Sequence, residues 1–113
     1  MTNRAVLPWE SKRTDETRRI EDHLKQAGFR QVDAYRYNVA SIRIRVIDPR
    51  FEGLAPELRD AMVEPFLDQL PEKTQVDVTS LFTFAPLEIE QTPKTFREFL
   101  QNMEFDHPSP SML

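Results

Sequence analysis

IRIRVIDPRFEGLAPELRDAMVEPFLDQL, residues 42–70, sets an alternating run, an Asp-Pro stop, a Phe-x-Gly turn and an amphipathic segment in direct succession. In Ser41 to Ile47 the residues Ile42, Ile44 and Val46 share one face of a strand, and Arg43 and Arg45 take the other. Asp48-Pro49 ends the strand, because proline has no N–H for the ladder. Pro56 suits the first position of a helix, and Leu58, Met62, Phe66 and Leu70 recur at fours beside Val63 and Leu67. Pro65 removes one hydrogen bond from that helix and predicts a kink or break.

Upstream, Thr14 or Asp15 can cap a helix in which Ile20, Leu24 and Ala27 line one side, and Gly28 ends it. Gln31 to Asn38 reads as a strand, so a short turn at 38–41 closes a hairpin; which parity of that first strand faces inward is left open. Downstream, Gln75 to Ala85 reads as a third strand. Val76, Val78, Phe82 and Phe84 are expected on one face, with Thr79, Leu81 and Thr83 on the other. Thr92-Pro93 opens a last helix with a stripe of Phe96, Phe99, Leu100 and Met103. The order is α-β-β-α(α)-β-α. It predicts an α+β domain over residues 14–91 with a three-stranded mixed sheet and helices packed on one face. Residues 1–13 read as a flexible arm, and residues 92–113 as a C-terminal helix and an extended tail.

A chain of 113 residues suits one domain. No run of about 18 apolar residues predicts a membrane span, and the N-terminus lacks the apolar core of a signal peptide, so a cytoplasmic location is expected. With no cysteine there is no disulfide framework, zinc–thiolate site or self-contained iron–sulfur cluster, and no cofactor is expected. The net charge of −4 weighs against general nucleic-acid affinity. Residues 1–50 hold 11 Lys/Arg against 7 Asp/Glu, whereas residues 51–113 hold 4 against 12, an asymmetry that can mark a polar binding face.

The layout, with Phe51, Gly53, Arg59 and the apolar pair Met62-Val63 in residues 42–70 and Pro86-Leu87-Glu88 after the third strand, resembles the BolA-like family over residues 15–90. The resemblance implies a scaffold close to the class II KH domain. BolA-like proteins pair with monothiol glutaredoxins, and a histidine on the helix after the Phe-x-Gly turn ligates a shared two-iron cluster. Here that position holds Asp60, a hard oxygen donor, and the loop between the first two strands reads Tyr37-Asn38-Val39-Ala40-Ser41, without Cys or His. Cluster ligation is therefore not carried over. The Gly-x-x-Gly loop of RNA-binding KH domains is missing too, since Gly53-Leu54-Ala55-Pro56 ends in proline.

The residues weighed for function follow from this. Arg50, Arg59 and Asp60 are the expected contact surface of a non-enzymatic adaptor or regulatory protein with a protein partner. Arg43 and Arg45, set among Tyr35 and Tyr37, offer the alternative of nucleic-acid binding through an open sheet face, or they cover that face with their stems. The segment EFDHPSPSML, residues 104–113, suits docking on a partner or on a second subunit, the latter giving the further alternative of an oligomeric structural protein, and it reads equally as a disordered end. His23 reads as half-buried, and His107 as a lone tail residue. Glu88 and Glu90 share a face if the strand continues, and read as surface charge. Nothing in the motifs points to catalysis.

Overall fold

The computed structural model describes residues 6–90 and 96–113. A 3-10 turn at Pro8–Lys12 precedes helix α1 (Asp15–Gln26) and strands β1 (Gln31–Asn38) and β2 (Ser41–Ile47). A second 3-10 turn at Pro49–Phe51 leads to α2 (Pro56–Leu67), α3 (Glu72–Asp77) and β3 (Val78–Phe84), then α4 (Pro86–Glu90) and α5 (Phe96–Asp106). The sheet has the order β1-β2-β3, with β1 antiparallel and β3 parallel to β2. The α2–α3 segment makes the crossover that a parallel neighbour requires. This is the expected α+β fold with a three-stranded mixed sheet. The expected helix start at Thr92-Pro93 lies outside the described residues.

Local chemistry places the first elements where the sequence predicts. Thr14 Oγ1 accepts from the Thr17 N–H at 3.1 Å, and Thr17 Oγ1 accepts from the Thr14 N–H at 2.8 Å, so two orphan donors of α1 are satisfied reciprocally. At the other end Gly28 takes φ +107°, and the Phe29 N–H reaches back to the Leu24 carbonyl at 3.2 Å. Ile20 and Leu24 then face Val32 and Ala34 of β1 and Ile42, Ile44 and Val46 of β2, with Val63 of α2 completing the main core. The even residues of β1 thus face inward. Pro65 lies in the last turn of α2, which stops at Leu67. Leu58, expected on the core stripe, is 57% exposed.

Several segments depart from expectation. The third strand begins at Val78, because Glu72–Asp77 is helical and leaves Val76 73% exposed. Its register on β2 shifts between Ile42↔Val78 and Arg43↔Ser80. The extra residue, Thr79, reverses the alternation. Val78 and Leu81 therefore both pack on the main core, while Phe82 turns to the opposite face, away from Val78 with which it was grouped.

That opposite face is covered as well, so helices do not lie on one side alone. Trp9, Tyr35 and Phe105 form a second buried cluster, with Leu7, Tyr37 and Phe82 packed against it. Phe105 of α5 sits edge-on to Tyr35, ring centroids 4.8 Å apart, and Trp9 lies 5.4 Å from it. Residues 8–12, expected within a flexible arm, are a 3-10 turn whose Trp9 is 4% exposed.

α5 also presents an unexpected side. Phe99, Leu100 and Met103 are 42% exposed or more, while Phe105, Asn102 and Asp106 meet the sheet. The reason is electrostatic: β2 carries Arg43 and Arg45 on this face, and covering them requires acceptors. The tail folds back beyond α5. Tyr37 Oη donates to the Ser109 carbonyl at 2.8 Å, and Asn38 Nδ2 to Ser111 Oγ at 3.1 Å.

Four carboxylates hold the fold in a pH-dependent way. Burial raises the Glu88 and Glu104 pKa, but Arg59 and the Ala85 N–H outweigh it at Glu88, and Ser109 and Arg43 do so at Glu104. Asp48 behaves alike through Arg50 and Arg30, and the Arg36 guanidinium holds Glu16 down against its burial. All four end below their ordinary values, 4.5 for glutamate and 3.8 for aspartate. Their stabilisation is complete above those values and is lost as pH falls through the lower, folded-state ones. Urea midpoints should hold from pH 7 to about 5 and fall steadily below about 4.

Candidate functional site

The five residues singled out in the sequence fall in three places. Arg43 and Arg45 lie under α5. Arg45 is 5% exposed and bonds Asp33 at 2.8 Å, Asp106 at 2.7 Å and Asn102 at 2.8 Å, with its guanidinium 4.3 Å from the Phe105 ring centre. Arg43 donates to Glu104 at 3.0 Å and to the Tyr35 hydroxyl at 3.2 Å, stacked over Tyr37. These arginines cover the sheet face and are themselves covered, so the face offers no open cationic platform for bases.

Arg50 stands apart. It donates to Asp48 and to the Gly28 carbonyl, and rests 4.7 Å from the Phe29 ring centre. Asp48 is 2% exposed and also accepts from the Arg30 N–H at 3.0 Å, so the Asp-Pro stop after β2 is a charged clamp.

Arg59 is 7% exposed, and this corrects its expected place on a contact surface. It donates to the Leu54 carbonyl at 2.8 Å and the Thr83 carbonyl at 3.1 Å, and makes a two-armed pair with Glu88 at 2.7 and 3.1 Å. Glu88 also accepts from the Ala85 N–H, as the third residue of α4 should. The pair ties α2, β3 and α4 together, and Glu88 is a structural anion rather than strand-end surface charge. His23 is half-buried as expected, its Nε2 3.0 Å from the Phe66 carbonyl.

Asp60, one residue on from Arg59, opens onto a cleft of about 350 Å³. The floor is Leu81–Phe84 of β3; α2 supplies Arg59 and Asp60 on one side, and α5 supplies Glu98 and Gln101 on the other. Burial raises the Asp60 pKa first, Glu64 and Glu57 add repulsion, and a hydrogen bond from Thr83 and the charge of Arg59 only partly offset them. An ionised Asp60 therefore costs stability at neutral pH, and the cost is relieved as pH falls through its raised pKa. Asp60→Asn should leave the urea midpoint at pH 7 unchanged or higher, whereas a lowered midpoint would mean that the carboxylate is a structural anchor.

The floor of this cleft is an open strand edge. The Phe84 carbonyl accepts from the Asp48 N–H at 3.0 Å, so the even residues of β3 bond to β2 and the odd ones turn outward. Of those outward groups around the cleft, Arg59 caps the Thr83 carbonyl. Leu81 N–H, Leu81 C=O and Thr83 N–H meet no described residue. A depression of about 330 Å³ between the first 3-10 turn, α1 and β1 is different in kind. Four of its charged residues already pair internally, Arg13 with Glu21 and Arg45 with Asp33.

The sequence signalled Asp60, but not the cleft. β3 comes to lie beside α2 through a crossover, and the α5 wall follows from the arginine face of β2. No family model, curated protein or solved structure matches the chain. No group of three or more metal-ligating side chains exists among the described residues, and no helix there is long and apolar enough to cross a membrane.

Proposed function

We propose that the chain is a non-enzymatic adaptor or regulatory protein that binds a protein partner at the β3 cleft. The observation that carries this reading is the β3 edge at the bottom of a walled cleft, where the Leu81 N–H, the Leu81 C=O and the Thr83 N–H meet no described residue. Main-chain donors and acceptors in that setting bind another polypeptide and have little to offer a small metabolite. The order of helices and strands from α1 to β3 supports a BolA-like scaffold used without cluster ligands, since Asp60 stands where that family has its histidine. Of the expected contact residues, Asp60 belongs to this surface. Arg59 acts behind it by positioning β3, and Arg50 serves the turn after β2.

Site-specific photocrosslinking tests the reading. A benzoylphenylalanine in place of Gln101 lies in the cleft, and one in place of Asp22 lies on the exposed face of α1. Native extract should yield a discrete protein adduct from position 101 and none from position 22. Equal adducts from both positions, or none from position 101, would contradict it.

A further inference from the structure

Each edge of the sheet carries a cap from a buried charged side chain. On β1 the outward Ala34 N–H is capped at 2.9 Å by Glu21, a carboxylate only 2% exposed. Arg36 of the same strand donates to the carbonyls of Asn38 and Val39 at the turn that follows it. A buried charge and a folded-over arginine are devices that keep an edge from pairing. The β3 edge has one such cap, Arg59 on the Thr83 carbonyl, and none at Leu81 among the described residues. Its sequence from Thr79 to Phe84, TSLFTF, contains no charge and no proline, and the Thr79 irregularity lies at its start, which leaves Ser80–Phe84 in regular register.

Among the described residues the charges around that edge are one-sided. Glu57, Asp60 and Glu64 follow one another along the outer side of α2, with Glu57 and Glu64 exposed and Asp60 half-buried in the cleft. Arg59, the cation among the described lining residues, is already matched by Glu88. A carboxylate entering here would meet repulsion, and a cation would meet Asp60 where its charge is least well solvated.

We propose that the β3 edge takes an extended, lysine- or arginine-bearing segment of a partner protein as a fourth strand, paired to Leu81 and Thr83. The inference rests on the protein-binding reading above and specifies its ligand. Side chains of an added strand alternate, and those on the Thr83 side point toward Asp60. The recognised segment therefore carries its cations at every second position, with apolar or β-branched residues between them on the Phe82 side.

The test uses three capped heptapeptides with the full-length chain. One alternates lysine with valine, a second has glutamate for lysine, and a third is the lysine peptide with N-methylated backbone amides. The lysine peptide should bind and slow amide exchange at Leu81 and Thr83. The glutamate and N-methyl peptides should bind at least about tenfold more weakly, as should the lysine peptide to Asp60→Asn. Equal affinity for the lysine and glutamate peptides, or protection at other amides, would overturn the proposal. If no peptide binds while position 101 still crosslinks to a partner, the ligand class falls and the protein-binding reading stands. An adduct of position 101 to a second copy of this chain would also overturn the ligand class.

Discussion

Phe105→Ala should detach α5 from the sheet and cost about 3–5 kcal/mol, the range for losing a fully buried aromatic side chain. Phe105 is 0% exposed and touches Trp9, Tyr35 and Phe82, three rings from three separate elements. It also lies under the Arg45 guanidinium, which Asp106 and Asn102 hold from the same helix. Its loss opens a cavity where the first 3-10 turn, the sheet and α5 meet. Urea titration reads the energy, and amide exchange reads the location. Protection should fall first across residues 96–106 and at Trp9, while α1 and the main core keep theirs. A uniform loss of protection would mean that the two faces of the sheet fold as one unit.

Arg59→Ala is the second large effect, about 3 kcal/mol. The arginine itself is less important than what it leaves behind. Glu88, 12% exposed, would lose its paired cation and keep only uncharged hydrogen-bond help from the Ala85 N–H and the Glu98 side chain, and the Leu54 and Thr83 carbonyls would lose their donors. Adding Glu88→Gln should therefore recover part of the loss, a coupling that a double-mutant cycle measures directly. Additive losses would show that the two side chains act independently. Because Arg59 also fixes the Thr83 carbonyl, partner binding lost on its substitution reports on the fold, and Asp60 is the informative position for binding.

Much of the fold was legible because local rules were obeyed. The Thr14 cap, Gly28, the Ile42-Ile44-Val46 alternation, Pro49 and Pro56 each marked an element that the structure contains. The misreadings share a cause in long-range packing. Thr79 looks like any strand threonine, yet its extra place in the register turns Val78 away from Phe82. The α5 stripe was read from hydrophobicity, but the partner surface carries Arg43 and Arg45, so the buried side of the helix is Asn102, Phe105 and Asp106. The matching acceptors are visible in the sequence once that face is known to need cover. Trp9 gave a single aromatic signal without periodicity, and its place depends on two other rings. Arg59 and Glu88 are 29 positions apart, and nothing local links them. The candidate site was half legible: Asp60 stood out against the BolA-like pattern, but the open edge beneath it appears only when β3 is set beside β2.

The open edge is therefore the point to test, by residue-resolved amide exchange on the free protein. Leu81 and Thr83 should exchange quickly, flanked by slow Phe82 and Phe84, whose N–H groups bond to β2. Equal protection at Leu81, Phe82, Thr83 and Phe84 would show the β3 edge to be covered, and would contradict the binding site.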